Sequence, residues 1–301
     1  MTNSAHTVWS QWDDLIVPAG FTRLSPSNAP LHSSDLSEVT FFVQPYMTGT
    51  ETLDPVKQMP KLQILQVPNT GYEAAVPYVR EGITLCNAQG VHNASTAELA
   101  VGMAIAMRRG FPYFLRKQQV GEWSHERLGS LNDSKIAIIG AGSIGQTLVS
   151  YLKPYEVEIS TFSRSGGNNS LLMTQLDELL STFDIVILIL PLNAESKHLM
   201  NARRLALLKD GALLVNVARG RVVDTDALVA ELKSGRISAA LDVTDPEPLP
   251  ADHPLWGLEN VLITPHVGGD SQAFEKRGKR FIESQLQRIA DGLDPLNIIA
   301  L

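Results

Sequence analysis

The stretch KIAIIGAGSIG, Lys135–Gly145, decides the fold. Its first five residues read as a buried strand, and a glycine-rich turn leads straight into a helix opened by Ser143 and Ile144. Each glycine has its own reason to be there. Gly140 permits the tight turn, Gly142 lets a pyrophosphate approach the backbone, and Gly145 lets the helix pack close to the strand. The first N–H groups of that helix then aim at phosphate. The GxGxxG spacing alone is a weak signal, because many glycine turns match it by chance. The flanking strand and helix, and the series that follows them, give it weight.

Downstream, further strand candidates occur at Val157–Phe162, Ile185–Leu190, Ala212–Val217, Ile237–Val243 and Val261–Thr264. Most are continuous apolar runs, as expected of parallel strands covered on both faces. Helix-like segments at Ser143–Leu152, Gln175–Leu180, Ala202–Leu208 and Thr225–Lys233 separate them. Strands alternating with helices in this way predict a doubly wound sheet. Upstream, short runs at Leu15–Val17, Val39–Val43, Leu62–Val67 and Ile83–Leu85 predict a smaller α/β domain. Between the two series, TAELAVGMAIAMRR predicts a long helix from Thr96 that ends at Gly110, with Pro112 just beyond. The charged amphipathic stretch Gln272–Asp291 predicts a last helix that returns to the first domain, followed by the apolar tail Asn297–Leu301. The expected fold class is α/β, with two doubly wound domains. A flavodoxin-like substrate domain takes residues 1–103 plus 270–301, and a Rossmann cofactor domain takes residues 104–269. A cleft between them, with the two long helices as its hinge, completes the expectation.

Composition narrows the partners. The chain has 301 residues, 44% hydrophobic and 19% charged, enough to bury a sizeable core. Its 25 basic against 32 acidic residues leave a formal net charge of −7. No global field then draws it to nucleic acid or to an anionic membrane, so an anionic ligand must be met by local positive groups. The single cysteine, Cys86, excludes an intrachain disulfide and a Cys-rich zinc site, and no metal is expected. The first residues, MTNSAHTVWSQWDD, carry neither a basic nor an apolar leader, and runs such as Ile185–Leu190 are far too short to span a bilayer. A soluble, cytoplasmic protein is expected.

The second strand of the cofactor series, EVEISTFSRSGG at Glu156–Gly167, bears on which dinucleotide binds. An acid near its end would hold the ribose 2′-hydroxyl of NAD. Here Ser163, Arg164 and Ser165 stand there instead, while Glu156 and Glu158 come too early. Arginine offers paired, charge-assisted bonds to a 2′-phosphate, and the serines add donors. NADP(H) is therefore the favoured cofactor, with NAD(H) kept as the alternative.

Three more segments put polar groups at strand ends, where open α/β sheets bind ligands. LLVNVARGRVVD places Arg219 beyond a buried strand, after Val217 and Ala218; AALDVTDPEPLPADHPLW holds Asp242 and Glu247; NVLITPHVGG places His266 before Gly268. Hydride transfer to a 2-keto acid needs a guanidinium to clamp the carboxylate and a proton for the developing alkoxide. It also needs a group that orients the donor. Arg219, His266 and Glu247 suit these tasks in turn. Pro246 and Pro248 would stiffen the loop that aims Glu247. The other histidines, His6, His32, His92, His125, His198 and His253, read as ordinary surface or core residues, and Arg221 as solvent-facing support.

These segments, in their order and spacing, resemble the D-isomer-specific 2-hydroxyacid dehydrogenases. The likeness runs from Gly140 to Gly269 and upstream through GEW at Gly121–Trp123 and TAEL at Thr96–Leu99, roughly two thirds of the chain. It implies catalytic positions at Arg219, Glu247 and His266, an acid near the nicotinamide at Asp242, and cofactor-lining positions at Thr96 and Leu190–Pro191. It also implies that backbone amides of Asn69, Thr70 and Gly71, in PNTGYE, bind the substrate carboxylate. D-stereochemistry and a homodimer formed through the second domain are implied as well. Asp133, where the family usually has Gly, departs from the pattern. Ser163–Arg164 departs too, in a way similar to the NADP-preferring glyoxylate/hydroxypyruvate reductases, so small 2-keto and 2-hydroxy acids are the expected ligands. Other readings of this scaffold are a phosphite-type dehydrogenase and a nucleotide-sensing corepressor. A formate-oxidising version fits poorly, because those enzymes carry Gln where this chain has Glu247.

Overall fold

The computed structural model describes residues 6–301. The chain divides into two compact units, one made of residues up to His92 with Asp270–Leu301, the other of Asn93–Gly269. In the first, strands β1 (Thr7–Trp9), β2 (Thr22–Leu24), β3 (Phe41–Val43), β4 (Ile64–Gln66) and β5 (Thr84–Cys86) form a parallel sheet in the order β2-β1-β3-β4-β5. That is the flavodoxin-type order. Leu15–Val17, expected as a strand, is not one. Leu15 is buried, but its N–H donates to the Trp12 carbonyl in a turn, so its apolar side chain serves as a loop anchor. β1 and β2 flank it instead.

The second unit begins with helices α1 (Asn93–Arg108) and α2 (Phe111–Gln119). Gly110 ends α1 in the left-handed region, and Pro112 opens α2, where a missing N–H costs nothing. Strands β6 (Lys135–Ile139), β7 (Glu158–Ser163), β8 (Leu171–Leu172), β9 (Ile185–Leu188), β10 (Leu213–Asn216), β11 (Ser238–Leu241) and β12 (Val261–Ile263) follow. Between them lie α3 (Ser143–Leu152), α4 (Leu176–Leu179), α5 (Ala202–Ala206) and α6 (Thr225–Lys233). The sheet is parallel throughout, in the order β12-β11-β10-β9-β6-β7-β8. The short edge strand β8 adds to the six expected from sequence. The direction of winding reverses between β6 and β9, and such a switch point is where dinucleotides bind outside the strands' carboxyl ends.

α1 lies wholly within the second unit, so the chain first crosses between units at His92–Asn93, not at the expected residue 103. The reason is packing. Ala97, Ala100, Val101, Met103 and Ala104 are all buried in one cluster with Ile136, Ile138, Leu213 and Val215, and the small side chains let the helix lie close to the sheet. In the first unit, the last helix α7 (Ala273–Ala290) buries Phe274, Ile282 and Leu286 in a cluster with Val8, Phe41 and Ile64. Two fully buried glutamines fasten it: Gln285 Nε2 donates to Gln66 Oε1 on β4 at 3.0 Å, and Leu296 N donates to Gln285 Oε1 at 2.7 Å. No described helix is long and apolar enough to cross a membrane.

Candidate active site

Arg164, Arg219, Asp242, Glu247 and His266 all follow the carboxyl ends of strands of the second sheet. The glycine turn comes first. Gly140 has φ of +122°, and a Cβ there would run into the Ile189 carbonyl. A Cβ on Gly145 would run into the Gly140 carbonyl, so helix and strand can approach only with glycine in place. Gly142 differs: nothing lies within 4 Å of where its Cβ would be. Two glycines are thus required by crowding, and the third leaves open space at the N-terminus of α3. That is the form a pyrophosphate cradle needs, and the residues fit a dinucleotide. Ser143 Oγ, in the first turn of α3, donates to Asn93 Oδ1 at 3.2 Å and so joins that turn to the start of α1.

Ser163 ends β7, and Arg164 and Ser165 begin a loop in which Asn168 and Asn169 both adopt positive φ. Asn168 Nδ2 donates to the Ala141 carbonyl at 2.9 Å, which fastens this loop to the glycine turn. Ser170 donates to the Gly167 carbonyl at 2.6 Å, so in its 2.5 Å contact with Ser163 the Ser163 hydroxyl is the donor. In this arrangement the Ser163 proton goes to Ser170. Ser165 and Arg164 are exposed.

Asp242, 2% exposed, organises the turn after β12. Its Oδ1 accepts from Thr264 Oγ1 at 2.6 Å and from Val267 N at 2.9 Å, and its Oδ2 accepts from Gly268 N at 2.8 Å. A Cβ on Gly268 would sit 2.9 Å from Asp242 Oδ2 and 3.5 Å from Thr96 Cγ2, so Thr96, Asp242 and Gly268 meet at one point. The Asp242 carbonyl accepts from His266 N at 2.7 Å. His266 itself is held in the left-handed region, φ +56°. A non-glycine residue persists there only when its surroundings dictate it, and these bonds do so.

Held in this way, His266 presents Nδ1 to Glu247 Oε1 at 2.6 Å. A carboxylate accepts only, so Nδ1 carries the proton of this bond and Nε2 is not part of it. The pair is about half-exposed, open to a small molecule. Past β10, Arg219 is exposed and spends one N–H on the Ala218 carbonyl at 2.7 Å, leaving most of its donors unused. Buried Asn216 shapes this corner: its Nδ2 donates to the Arg219 carbonyl and its Oδ1 accepts from Ala218 N, both at 3.1 Å. A Cβ on Gly220 would strike the Thr244 carbonyl, so the Arg219 corner lies against the loop that carries Glu247. Arg221 pairs with Asp245 at 3.4 Å, a brace for that loop. Leu190 and Pro191 follow β9, and the Pro191 carbonyl accepts from Ser196 Oγ at 2.7 Å.

Asn69, Thr70 and Gly71 belong to the first unit, on the loop after β4. There the Asn69 carbonyl accepts from Ala88 N at 2.9 Å, and the Thr70 carbonyl from Asn87 Nδ2 at 2.8 Å. Sequence reasoning missed Asn93, Asn168 and Asn216. The GGNN run at Gly166–Asn169 was a readable turn signal for Asn168. The other two act through folded geometry that no local pattern encodes.

Residues 101–268 match the family described as D-isomer specific 2-hydroxyacid dehydrogenase, NAD binding domain. A glyoxylate reductase of Pyrococcus horikoshii is 35% identical over 229 residues, 70% of this chain and 68% of that protein. A D-3-phosphoglycerate dehydrogenase of Methanocaldococcus jannaschii is 31% identical over 269 residues, 84% of this chain but only 50% of that longer protein. Among solved structures, a D-isomer specific 2-hydroxyacid dehydrogenase family protein from Aeromonas salmonicida is 25% identical, covers 99% of both chains and superposes with a TM-score of 0.86. One from Xanthobacter autotrophicus, in complex with NADPH and MES, is 26% identical over 98% of both chains, with a TM-score of 0.77. The chain belongs to the D-isomer-specific 2-hydroxyacid dehydrogenase family, a class of NAD(P)-dependent oxidoreductases.

Proposed function

We propose that this protein reduces a small 2-keto acid, of glyoxylate or hydroxypyruvate type, to the D-2-hydroxy acid at the expense of NADPH. The observation that carries this reading is the 2.6 Å bond between His266 Nδ1 and Glu247 Oε1, set at the ends of neighbouring strands β12 and β11. In this reading the nicotinamide, when bound, supplies the hydride. His266 gives the Nε2 proton to the developing alkoxide, and the Glu247 carboxylate orients the ring and stabilises its positive charge. Arg219 clamps the substrate carboxylate with its unused donors. Asn69, Thr70 and Gly71 are proposed carboxylate contacts on the strength of the family resemblance. Cofactor contacts are assigned to Thr96, Gly140, Gly142, Ser143, Ile144, Gly145, Ser163, Arg164, Ser165, Leu190, Pro191, Val217, Ala218, Asp242 and Gly268. NADP(H) is favoured because the turn Ser163–Gly167 at the end of β7 holds no acid and supplies Arg164 as a partner for a 2′-phosphate.

The deciding experiment is a panel of keto acids (glyoxylate, hydroxypyruvate, pyruvate, phenylpyruvate and branched acids), each with NADPH and with NADH. Steady oxidation of NADPH with a small keto acid, lost in His266→Ala, supports the reading. Cofactor binding with no turnover on any acid sinks it.

A homodimer through the second unit and a cytoplasmic setting complete the proposal. Helix α2 buries none of its residues, and it and the loop after it expose Phe111, Leu115, Val120, Leu128 and Trp123, the last 99% exposed. A dimer in sedimentation that Leu115→Ser with Trp123→Ser dissociates is the expected result. The lone thiol suits a reducing compartment: Cys86 is buried, and burial pushes its pKa up to about 12.

A further inference from the structure

The loop after β9 carries a carboxylate that the reaction does not use. Asn193 builds a closed turn there. Its Oδ1 accepts from Glu195 N at 2.9 Å and Ser196 N at 3.0 Å, while its own N–H donates to Ser196 Oγ at 2.8 Å. Buried Ser196 passes its proton to the Pro191 carbonyl, so the turn is tied to the proposed cofactor-lining pair Leu190–Pro191. The Glu195 backbone is therefore fixed. From it the side chain reaches to 3.6 Å from Arg164 Nη1, and this is the only ion pair of Arg164 among the described residues. The Arg164 loop is fixed as well, by Asn168 on the Ala141 carbonyl. Two anchored loops thus aim one acid at the one base that follows β7.

We propose that Glu195 is a specificity-determining residue that sets how strongly this protein prefers NADP(H) over NAD(H). The proposal rests on the reading of Arg164 as the 2′-phosphate ligand. With a 2′-hydroxyl in place, Arg164 stays paired with Glu195 and the corner presents no net charge. A 2′-phosphate must take the guanidinium from Glu195, and the loss of that pair offsets part of what the phosphate gains. By competing for Arg164, Glu195 weakens NADP(H) binding and leaves NAD(H) binding alone. A carboxylate here tempers the discrimination that Arg164 provides, by opposing the disfavoured partner's rival instead of adding a contact.

The test is calorimetric titration of NADP+ and of NAD+ into the full chain, as wild type, Glu195→Gln, Arg164→Ala and the double variant. The turn uses only the backbone N–H of Glu195, so Glu195→Gln keeps it. We expect Glu195→Gln to tighten NADP+ about two- to fivefold, the range of an exposed ion pair, with NAD+ unchanged. The gain should vanish when Arg164 is already alanine. Unchanged NADP+ affinity, equal tightening of both cofactors, or a gain that persists without Arg164 would each overturn the proposal. If Arg164→Ala weakens NADP+ while Glu195→Gln is silent, only the role of Glu195 falls. If Arg164→Ala leaves NADP+ binding untouched, the reading of Arg164 falls and takes this proposal with it.

Discussion

The two sheets of this protein are both parallel, yet they use their polar residues for opposite ends. In the second unit, interior strands of four to six residues stop at turns that are held from below and left open above, at Gly142, Arg219, Glu247 and His266. In the first unit, strands of three residues carry polar groups that face inward and bind the chain to itself. Gln66 donates to the Val67 and Cys86 carbonyls and accepts from Gln285, and Asn297 donates to the Asn87 and Gln89 carbonyls. A sheet that keeps its polar capacity at strand ends can do chemistry, and one that consumes it internally gains a fastened C-terminus. Substitutions in the two units should therefore fail in different ways.

The largest expected effect is on chemistry in the second unit. Glu247→Gln keeps the shape beside His266 but removes the charge, and turnover should fall by about a hundredfold. Calorimetric affinity for NADP+ should stay unchanged, because Glu247 is not assigned to the cofactor. Turnover within twofold of wild type would break the assignment of a proton donor supported by a carboxylate. Next comes Gly145→Val, whose Cβ meets the Gly140 carbonyl. Overpacking of this kind costs about 1–3 kcal/mol, and the displaced turn should also lose cofactor affinity. A normal melting temperature with normal NADP+ binding would show that helix and strand need no close approach there.

In the first unit the matching experiment is Gln285→Leu. It leaves Gln66 Oε1 and the Leu296 N–H without their buried partner. The expected loss is about 1–3 kcal/mol, read as a lower denaturation midpoint, with turnover per folded molecule unchanged. A variant of normal stability would mean that the amide pair does not fasten the C-terminus. A variant that folds well but turns over slowly would blur the contrast between the units.

How much was legible followed the same divide. In the second unit, Lys135–Ile139, Ser143–Leu152 and Thr225–Lys233 were readable to the residue, because long apolar runs and glycine or acid caps leave strong local signals. The places of Arg219 and His266 were readable because each lies just past a strand that a continuous apolar run marks. β1, β2 and β8 were not, since two or three residues are too few to establish a period. Of the two crossings between units, the one at Gly269–Asp270 lies where the sequence put it, while the first does not: α1 is assigned by what Ala97 and Met103 pack against, which only the fold decides.

The smallest effect sharpens the comparison within one sheet, between its two ends. Asp184 immediately precedes β9, at the end away from the candidate site. Burial pushes its carboxyl up, but the Lys135 N–H at 2.9 Å and Lys209 Nζ at 2.5 Å, helped by the charges of Lys209 and Arg108, outweigh that and hold it below the ordinary value. A carboxylate with a depressed folded pKa stabilises the fold above its unfolded pKa of about 3.9 and loses that contribution as pH falls through the folded value. Asp184→Asn should therefore be less stable than wild type near neutrality, by less than about 1 kcal/mol because Lys209 is half-exposed. The gap should close as denaturation is followed to below about pH 4. Turnover should not change, because residues at this end only hold the strands in register. If Asp184→Asn alters catalysis as much as stability, the two ends of the sheet are coupled, and the division of labour drawn for the second unit is too sharp.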